Sequence, residues 1–449
     1  MPSLIAPFRA GRAQLELLAR FARNERANIA ILFALLAPVL IGAFGVGMET
    51  SNWYQLQRDM QNAADEAVIA ASTNGTSNYN TEVAAVASNY GYTNGSNTVT
   101  VTSSNAASCP AGGNNCYSVT ISMKQPLYLT PVIGYSGNTT VNGQPAVTLT
   151  ATAVALQGTI ARNYCILALD TAGTPFQMNG VPNADLSGCN IMSNGNATCN
   201  GHTTNADYGD AHGTNGGGAG CGNVQRSNVP ILADPYSGLA SNIPANPCSS
   251  YPQEPAGKKD PPLPVSNQWS GSMSWSGNKF VCGDLQLTGD TTITASGGVL
   301  VIENGQLDTN GYRLSTASGS SVTIIFSGTS GSYTHAPTGG GTLDIQAPTS
   351  GAWSGVALYQ DPSLTSGVDI SAAGNSPTWD ITGLVYLPHS SVTFSGAVNK
   401  SSNGASCFGL VVDNITINGT GSILAHGSCA QAGLNLPTGS VPGRGQLAS

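Results

Sequence analysis

Between Ala27 and Met48 the chain reads ANIAILFALLAPVLIGAFGVGM, 22 residues without a charge. At 1.5 Å of rise per residue such a helix spans roughly 30 Å, the hydrocarbon thickness of a bilayer. Few folds are open to a run this long and apolar: a membrane span, a helix buried in a large core, or a secretory signal. A signal has an apolar core of ~7–15 residues closed by a small-residue cleavage site. This run is longer and leads straight into a second helical pattern, so it reads as an uncleaved anchor from Ala27 to Met48. Pro38 lies mid-span, where its missing N–H is expected to kink the helix. Trp53 and Tyr54 fall where aromatic rings favour the headgroup zone.

Charge sets an expected orientation. Five of the 15 Lys and Arg residues (Arg9, Arg12, Arg20, Arg23, Arg26) precede the span. Basic residues beside a transmembrane helix stay in the cytoplasm, which puts the amino terminus inside and exports the rest. The exported part holds 10 basic and 21 acidic residues. So few cations neutralise few phosphates, which argues against nucleic-acid binding.

All ten cysteines lie beyond the span, at Cys109, Cys116, Cys165, Cys189, Cys199, Cys221, Cys248, Cys282, Cys407 and Cys429. None forms the tight C-x2-C pair of a zinc site, so the set reads as disulfides in an oxidising compartment. Nearest-neighbour pairing is one possibility among many, because connectivity does not follow from sequence.

Helical spacing continues past the membrane in Leu56, Met60, Ala63, Ala64, Ala67, Val68 and Ala71, with no Gly or Pro before Gly75. The result is one helix of about 45 residues, half in lipid. The stretch ERANIAILFALLAPVLIGAFGVGMETSNWYQLQRDMQNAADEAVIAAS resembles the amino-terminal domain of the Tad (tight-adherence) Flp pilus-assembly proteins, the TadE/TadG-like group. The matching features are the Arg-rich lead, the polar step at Asn28, the central Pro38, and the tail through Leu56, Gln57, Met60, Gln61, Ala63, Ala64, Asp65 and Ala67. The resemblance implies a single-pass inner-membrane protein with a periplasmic body, working in pilus assembly or adherence with other pilus-assembly proteins as partners. It also implies a small β-rich module after the helix.

Strand alternation follows in TVTVTSS, YSVTISM and PAVTLTATAVAL. From Tyr164 the pattern becomes short apolar runs between Gly, Ser, Thr and Asn turns: CILAL (165–169), VLVI (299–302), TIIF (323–326), VALY (356–359), LVYL (384–387) and LVVD (410–413). The last five begin 24–33 residues apart, and most precede an alternating pair such as Val368/Ile370, Val392/Phe394 or Ile415/Ile417. A repeat of this length with period-2 segments fits a stacked solenoid. A β-sandwich is the rival.

The expected fold is therefore mainly β: a long amino-terminal helix, a small α+β stalk, then a right-handed parallel β-helix-like solenoid. Its expected divisions are a cytoplasmic segment (1–26), the anchor and its extension (27–72), the stalk (73–162), the solenoid (163–434) and a loose tail (435–449). Within the solenoid, residues 195–270 read as a Gly- and Pro-rich insertion, its Pro-rich half an extended strap or linker.

Candidate chemistry is sparse. His202, Asp207, Asp210 and His212 share a polar loop of metal-ligating types. Asp170 lacks the hydroxyl spacing of a magnesium site. Asp361 and Asp380 are the best carboxylate pair for glycoside cleavage, and Trp269, Trp275, Trp353 and Trp379 are candidates for stacking on a glycan. None forms a recognisable motif, so no catalytic residue, metal or cofactor is expected. The expected role is a scaffold in pilus assembly or tight adherence. A carbohydrate-binding adhesin and a polysaccharide lyase or glycosidase remain as alternatives.

Overall fold

The computed structural model describes residues 25–448 except 75–77, 111, 113, 181–182, 185, 187, 258–259, 330, 365–368, 372–377, 396–406, 419–421 and 424–428. Arg9, Arg12, Arg20, Arg23, Val368 and Lys400 lie outside the described residues. The chain divides into two compact units, 1–159 with 442–449, and 160–441.

The first unit is built on helix α1 (Glu25–Asn74), 50 residues with Pro38 inside it. Its outer half packs on an antiparallel sheet through a stripe of small residues. Met60, Ala63, Ala64, Ala67 and Val68 are fully buried against Val119, Ile121, Ala151 and Ala155. Alanine lets the helix backbone approach the sheet closely, and Gln61 donates across the gap to the Thr152 carbonyl (3.1 Å) and to Asp65 (2.8 Å). A second helix, α2 (Tyr79–Asn89), adds Val83 and Ala87 to this core. The sheet comprises β1 (Thr100–Ala107), β2 (Cys116–Pro126), β3 (Thr139–Val141) and β4 (Gln144–Leu156), with β2 and β4 in register from Cys116↔Leu156 to Pro126↔Ala146. Asn142 and Gly143, both at positive φ, make the two-residue turn between β3 and β4.

The expected loose tail is corrected here. Gln446 and Leu447 pair with Leu156 and Ala155, while β3 covers the other end of the same β4 edge. An uncovered edge leaves backbone groups without partners. Gly445 fits because a side chain there would collide with Ser72 of α1.

The second unit is mainly parallel β, in three ladders. The first ladder runs through Asn278–Cys282, Gly298–Glu303, Val322–Ser327, Val356–Gln360, the middle of Thr378–Ser395 and the start of Phe408–Asn418. It then continues into Ile166–Ala168, Asn190–Ser193, Tyr208–Ala211 and Val224–Arg226. All six apolar runs read from sequence, the five beyond residue 290 and CILAL before them, are rungs of this ladder. Stacking order is thus not chain order: the last long strand, Phe408–Asn418, docks on the first, Ile166–Ala168.

The second ladder holds the alternating segments, with Val392↔Ile415↔Phe176↔Ala197 in one inward column. The third joins Gln268–Ser274, Leu285–Thr294, Arg313–Thr316, Thr342–Gln346 and the start of Thr378–Ser395. Inward residues of all three ladders, including Leu300, Ile324, Phe394 and Leu343, share one core.

A second correction concerns residues 195–222, read from sequence as a loop. Short strands at Ala197–Cys199, Tyr208–Ala211 and Asn215–Gly216 extend the first two ladders. They are too short for a visible period. The Cys199–Cys221 disulfide and the Asn215 side chain, bonded to the Gly209 carbonyl and to both backbone groups of Cys221, hold them in place.

A strap begins at Val229, upstream of the Pro-rich stretch. From Val229 to Glu254 the chain crosses the first ladder rung by rung, meeting Ala211 (Val229 N–H), Asn194 (Leu232), Tyr386 (Asp234), Tyr359 (Tyr236), Glu303 (Asn246), Cys282 (Cys248) and Asp284 (Glu254) in turn. It carries the chain from one end of the stack to the other.

Candidate functional site

The inner half of α1 is the part of the first unit with the clearest chemical character. Ile29, Phe33, Leu35, Val39 and Phe44 are more than three-fifths exposed, an apolar surface that no other described part of the chain covers. Met48 is exposed as well, and the side chain of Ala27 is outside the described residues. One turn on, Trp53 is half-buried with its ring 6.1 Å from Tyr135, while Tyr54 is exposed beneath Arg58. Between these groups, Glu49 accepts the N–H groups of Tyr128 (2.6 Å), Leu129 (2.7 Å) and Thr130 (3.2 Å), together with the Thr130 hydroxyl (2.5 Å). A carboxylate with four donors is fully satisfied and ties the helix to the β2–β3 connection.

The cysteines form five disulfides: Cys109–Cys116, Cys165–Cys189, Cys199–Cys221, Cys248–Cys282 and Cys407–Cys429. The first closes the β1–β2 hairpin. The second joins adjacent rungs of the first ladder, and the fourth pins the strap to its terminal strand.

The loop residues with metal-ligating side chains are each engaged separately. Asp210 is buried between Arg162 (2.5 Å) and the Tyr164 hydroxyl (2.7 Å), with the Arg162 guanidinium 3.7 Å from the centre of the Tyr208 ring. His202 accepts the Thr204 N–H, His212 bonds the Val229 carbonyl, and Asp207 accepts the Gly188 N–H. Among the described residues no group of three or more His, Cys, Asp and Glu is arranged to hold a metal.

Asp361 and Asp380 do not come together. Asp361 follows a first-ladder strand and accepts from the Ser327 hydroxyl (3.1 Å). Asp380 lies on the third ladder opposite Asp344, which pairs with Arg313. The four tryptophans form no sugar-stacking face either: Trp269, Trp353 and Trp379 are buried, and Trp275 packs against the core.

The structure gathers other polar groups that sequence reasoning missed. Where first-ladder strands end, Glu303, Asn304 and His335 are buried beside Asp361. Burial, reinforced by the Asp361 charge, pushes the Glu303 carboxyl up to about 7. Burial brings His335 down to about 4 against the opposing pull of Asp361. Nearby, burial and then Asp308 push Glu254 up to about 8. One signal was present in the sequence: most of the apolar runs close on a polar residue, as in VLVIE, VALYQD and LVVD. A separate groove of about 600 Å3 presents hydroxyl and amide groups from Ser318, Ser320, Gln346 and Gln431, with Asp344 its one charge.

The class these features define is a mainly β chain carrying one amino-terminal helix long and apolar enough to cross a membrane. Residues 27–86 match the Tad family model, described as putative Flp pilus-assembly TadE/G-like, so the amino-terminal part of the chain is similar to that family. Comparisons with curated proteins and with solved structures gave no match.

Proposed function

We propose that the chain is a single-pass inner-membrane component of a Tad/Flp-type pilus-assembly system. Its amino terminus is cytoplasmic, its body lies in the periplasm, and that body serves as a scaffold rather than a catalyst. The observation that carries this reading is the coincidence of the Tad match with a membrane-length helix whose outer half is locked into a β module. The five leading arginines support the orientation, and the paired cysteines support an oxidising compartment. Three parallel ladders sharing one core support a parallel β-helix, right-handed as such crossovers almost always are. A cytoplasmic segment (1–26), anchor (27–72), stalk (73–162) and solenoid (163–434) complete the organisation. The scaffold reading is favoured over a glycosidase because Glu303 is buried beneath Asn246, and Asp361 and Asp380 belong to different ladders.

The partners are the lipid bilayer and other pilus-assembly proteins. Deleting the gene and counting surface pili and attached cells tests the reading, with complementation by the full chain. Pili that disappear and return on complementation support it; normal pili with normal attachment overturn it. A second reading, an adhesin that binds neutral glycans, is favoured only by the polar groove at Ser318 and Gln431. Normal pili with reduced attachment, and glycan-array binding lost on Gln431→Ala, would mark it.

A further inference from the structure

The connection between β2 and β3, LYLTPVIGYSGN, is apolar where a surface loop is ordinarily polar. Tyr128 (68% exposed), Val132 (62%), Ile133 (52%) and Tyr135 (44%) all project from it. No charged residue occurs between Lys124 and Arg162.

Its position fixes what it faces. A Cβ placed on Gly42 would lie 2.2 Å from Ile133 Cγ2, and one on Gly45 would lie 2.6 Å from Leu129 Cβ. The loop therefore rests directly on two glycines of the apolar span. Gly42 precedes Met48 by six residues, which at 1.5 Å per residue sets it roughly 9 Å inside the outer end of the span.

Backbone groups can enter hydrocarbon only when their hydrogen bonds are made within the protein. Here they are. Glu49 takes the N–H groups of Tyr128, Leu129 and Thr130, and Pro131 has none. The N–H groups of Val132, Gly134 and Tyr135 bond to the carbonyls of Leu129, Pro131 and Thr130. A short 3-10 turn, Thr130–Ile133, forms the middle of the loop.

We infer that residues 128–135 form a second membrane contact, a wedge inserted into the outer leaflet beside the anchor, with Tyr128 and Tyr135 at headgroup level. The occupant of this apolar face is lipid, because the face is continuous with the exposed apolar surface of the span itself. The inference rests on the anchor reading above. The wedge and the helix together give the first unit two points of attachment, which fixes its tilt and rotation on the membrane where a single helix would leave it free to swivel.

The test uses the full chain reconstituted in phosphatidylcholine vesicles, with a single introduced cysteine labelled by an environment-sensitive fluorophore. Among the described residues no cysteine is free, so the label site is unique. Val132→Cys and Tyr135→Cys probe the wedge, Leu36→Cys the anchor, and Thr102→Cys an exposed strand of the same unit. Lipids carrying a nitroxide near the headgroup should quench the labels at 132 and 135, which should also resist a water-soluble quencher, with the reverse pattern at 102. Labels at 132 and 135 that behave like that at 102, while the label at 36 is quenched by a nitroxide deep in the acyl chain, would overturn the wedge and leave the anchor standing. A label at 36 that no lipid nitroxide quenches would overturn both.

Discussion

The first and third ladders of the second unit are the same kind of structure under different cover. Rungs of the third ladder alternate: in Leu285–Thr294, Leu285, Leu287 and Ile293 face the core while Gln286, Thr292 and Thr294 face outward. The middle rungs of the first ladder are buried on both faces. Its inward column runs Leu300↔Ile324↔Leu358↔Val385↔Leu410↔Ile166, and its outward column runs Val301↔Ile325↔Tyr359↔Tyr386↔Val411↔Leu167. That outward column is buried beneath the strap residues Val229, Tyr236 and Ile243 and beneath Leu434 and Val441. A parallel strand covered on both faces reads as a continuous apolar run, and one covered on a single face reads as alternation. The two textures in one sequence therefore report where a second layer of chain lies.

The sharpest way to break this comparison is to place the same charge outside each ladder. Ile325→Asp buries an unpaired carboxylate under the strap and should cost more than about 4 kcal/mol, with loss of a folded body, whereas Thr294→Asp on the third ladder should stay within about 0.5 kcal/mol. Thermal unfolding of the detergent-solubilised full chain reads both. Equal losses would mean the outward face of the first ladder is not specially protected.

Freeing the strap comes next. Replacing Cys248 and Cys282 by serine opens a link of sequence separation 34, for which loop entropy predicts roughly 3–4 kcal/mol of lost stability. Limited proteolysis should then cut first in the strap, between Tyr236 and Leu263. Protection equal to that of the native chain would show the strap is held by its other contacts alone.

A titration sharpens the comparison at the ladder's polar end. The Glu303 carboxyl, raised from 4.5 to about 7 by burial and Asp361, keeps a proton in the folded state that the unfolded chain has already released. Its contribution is full below about pH 4.5 and is lost as pH rises through 7, on the order of 3 kcal/mol. His335, lowered from 6.5 to about 4 by burial, acts oppositely: its contribution is full above pH 6.5 and lost as pH falls through 4. The two slopes oppose each other between pH 4.5 and 6.5, so the native chain should lose stability most clearly above 6.5. Glu303→Gln should remove that decline and expose the His335 slope on the acid side. An unchanged pH profile in this variant would rule Glu303 out as its source.

The smallest expected effect concerns a single hydroxyl. Tyr386 donates to Asp234 of the strap at 2.6 Å, so Tyr386→Phe should cost about 1.5 kcal/mol. Removing an outward hydroxyl of the third ladder by Thr292→Val should cost no more than about 0.5 kcal/mol. Similar values from chemical denaturation would remove the distinction between the two faces at this level.

Much of the molecule was legible in the chain because local pattern reports local environment. The uncharged run from Ala27 to Met48, the alanine stripe through Ala63, Ala64 and Ala67, the apolar rungs and the alternating pairs at Val392 and Ile415 each declare which faces the rest of the chain covers and which it leaves open. The similarity to the Tad family was legible in the same helix, whose later residues pack closely on one sheet. The candidate site was less so. Nothing near Glu303 in sequence shows that Asn246 will cover it, and nothing near Asp361 shows that its neighbours are Ser327 and Glu303 rather than Asp380.

What the sequence determined by itself, then, is the set of longer elements and how many faces of each are covered, because hydrophobic periodicity is written residue by residue. The tertiary structure alone decided which edge meets which. Phe408–Asn418 docks on Ile166–Ala168, the two-to-four-residue strands between Ala197 and Gly216 extend the ladders, and Gln446 and Leu447 seal the free edge of β4. Backbone hydrogen bonds are the same for every residue type, so an edge carries no record of its partner. Only the closing of distant parts of the chain over a common core selects one.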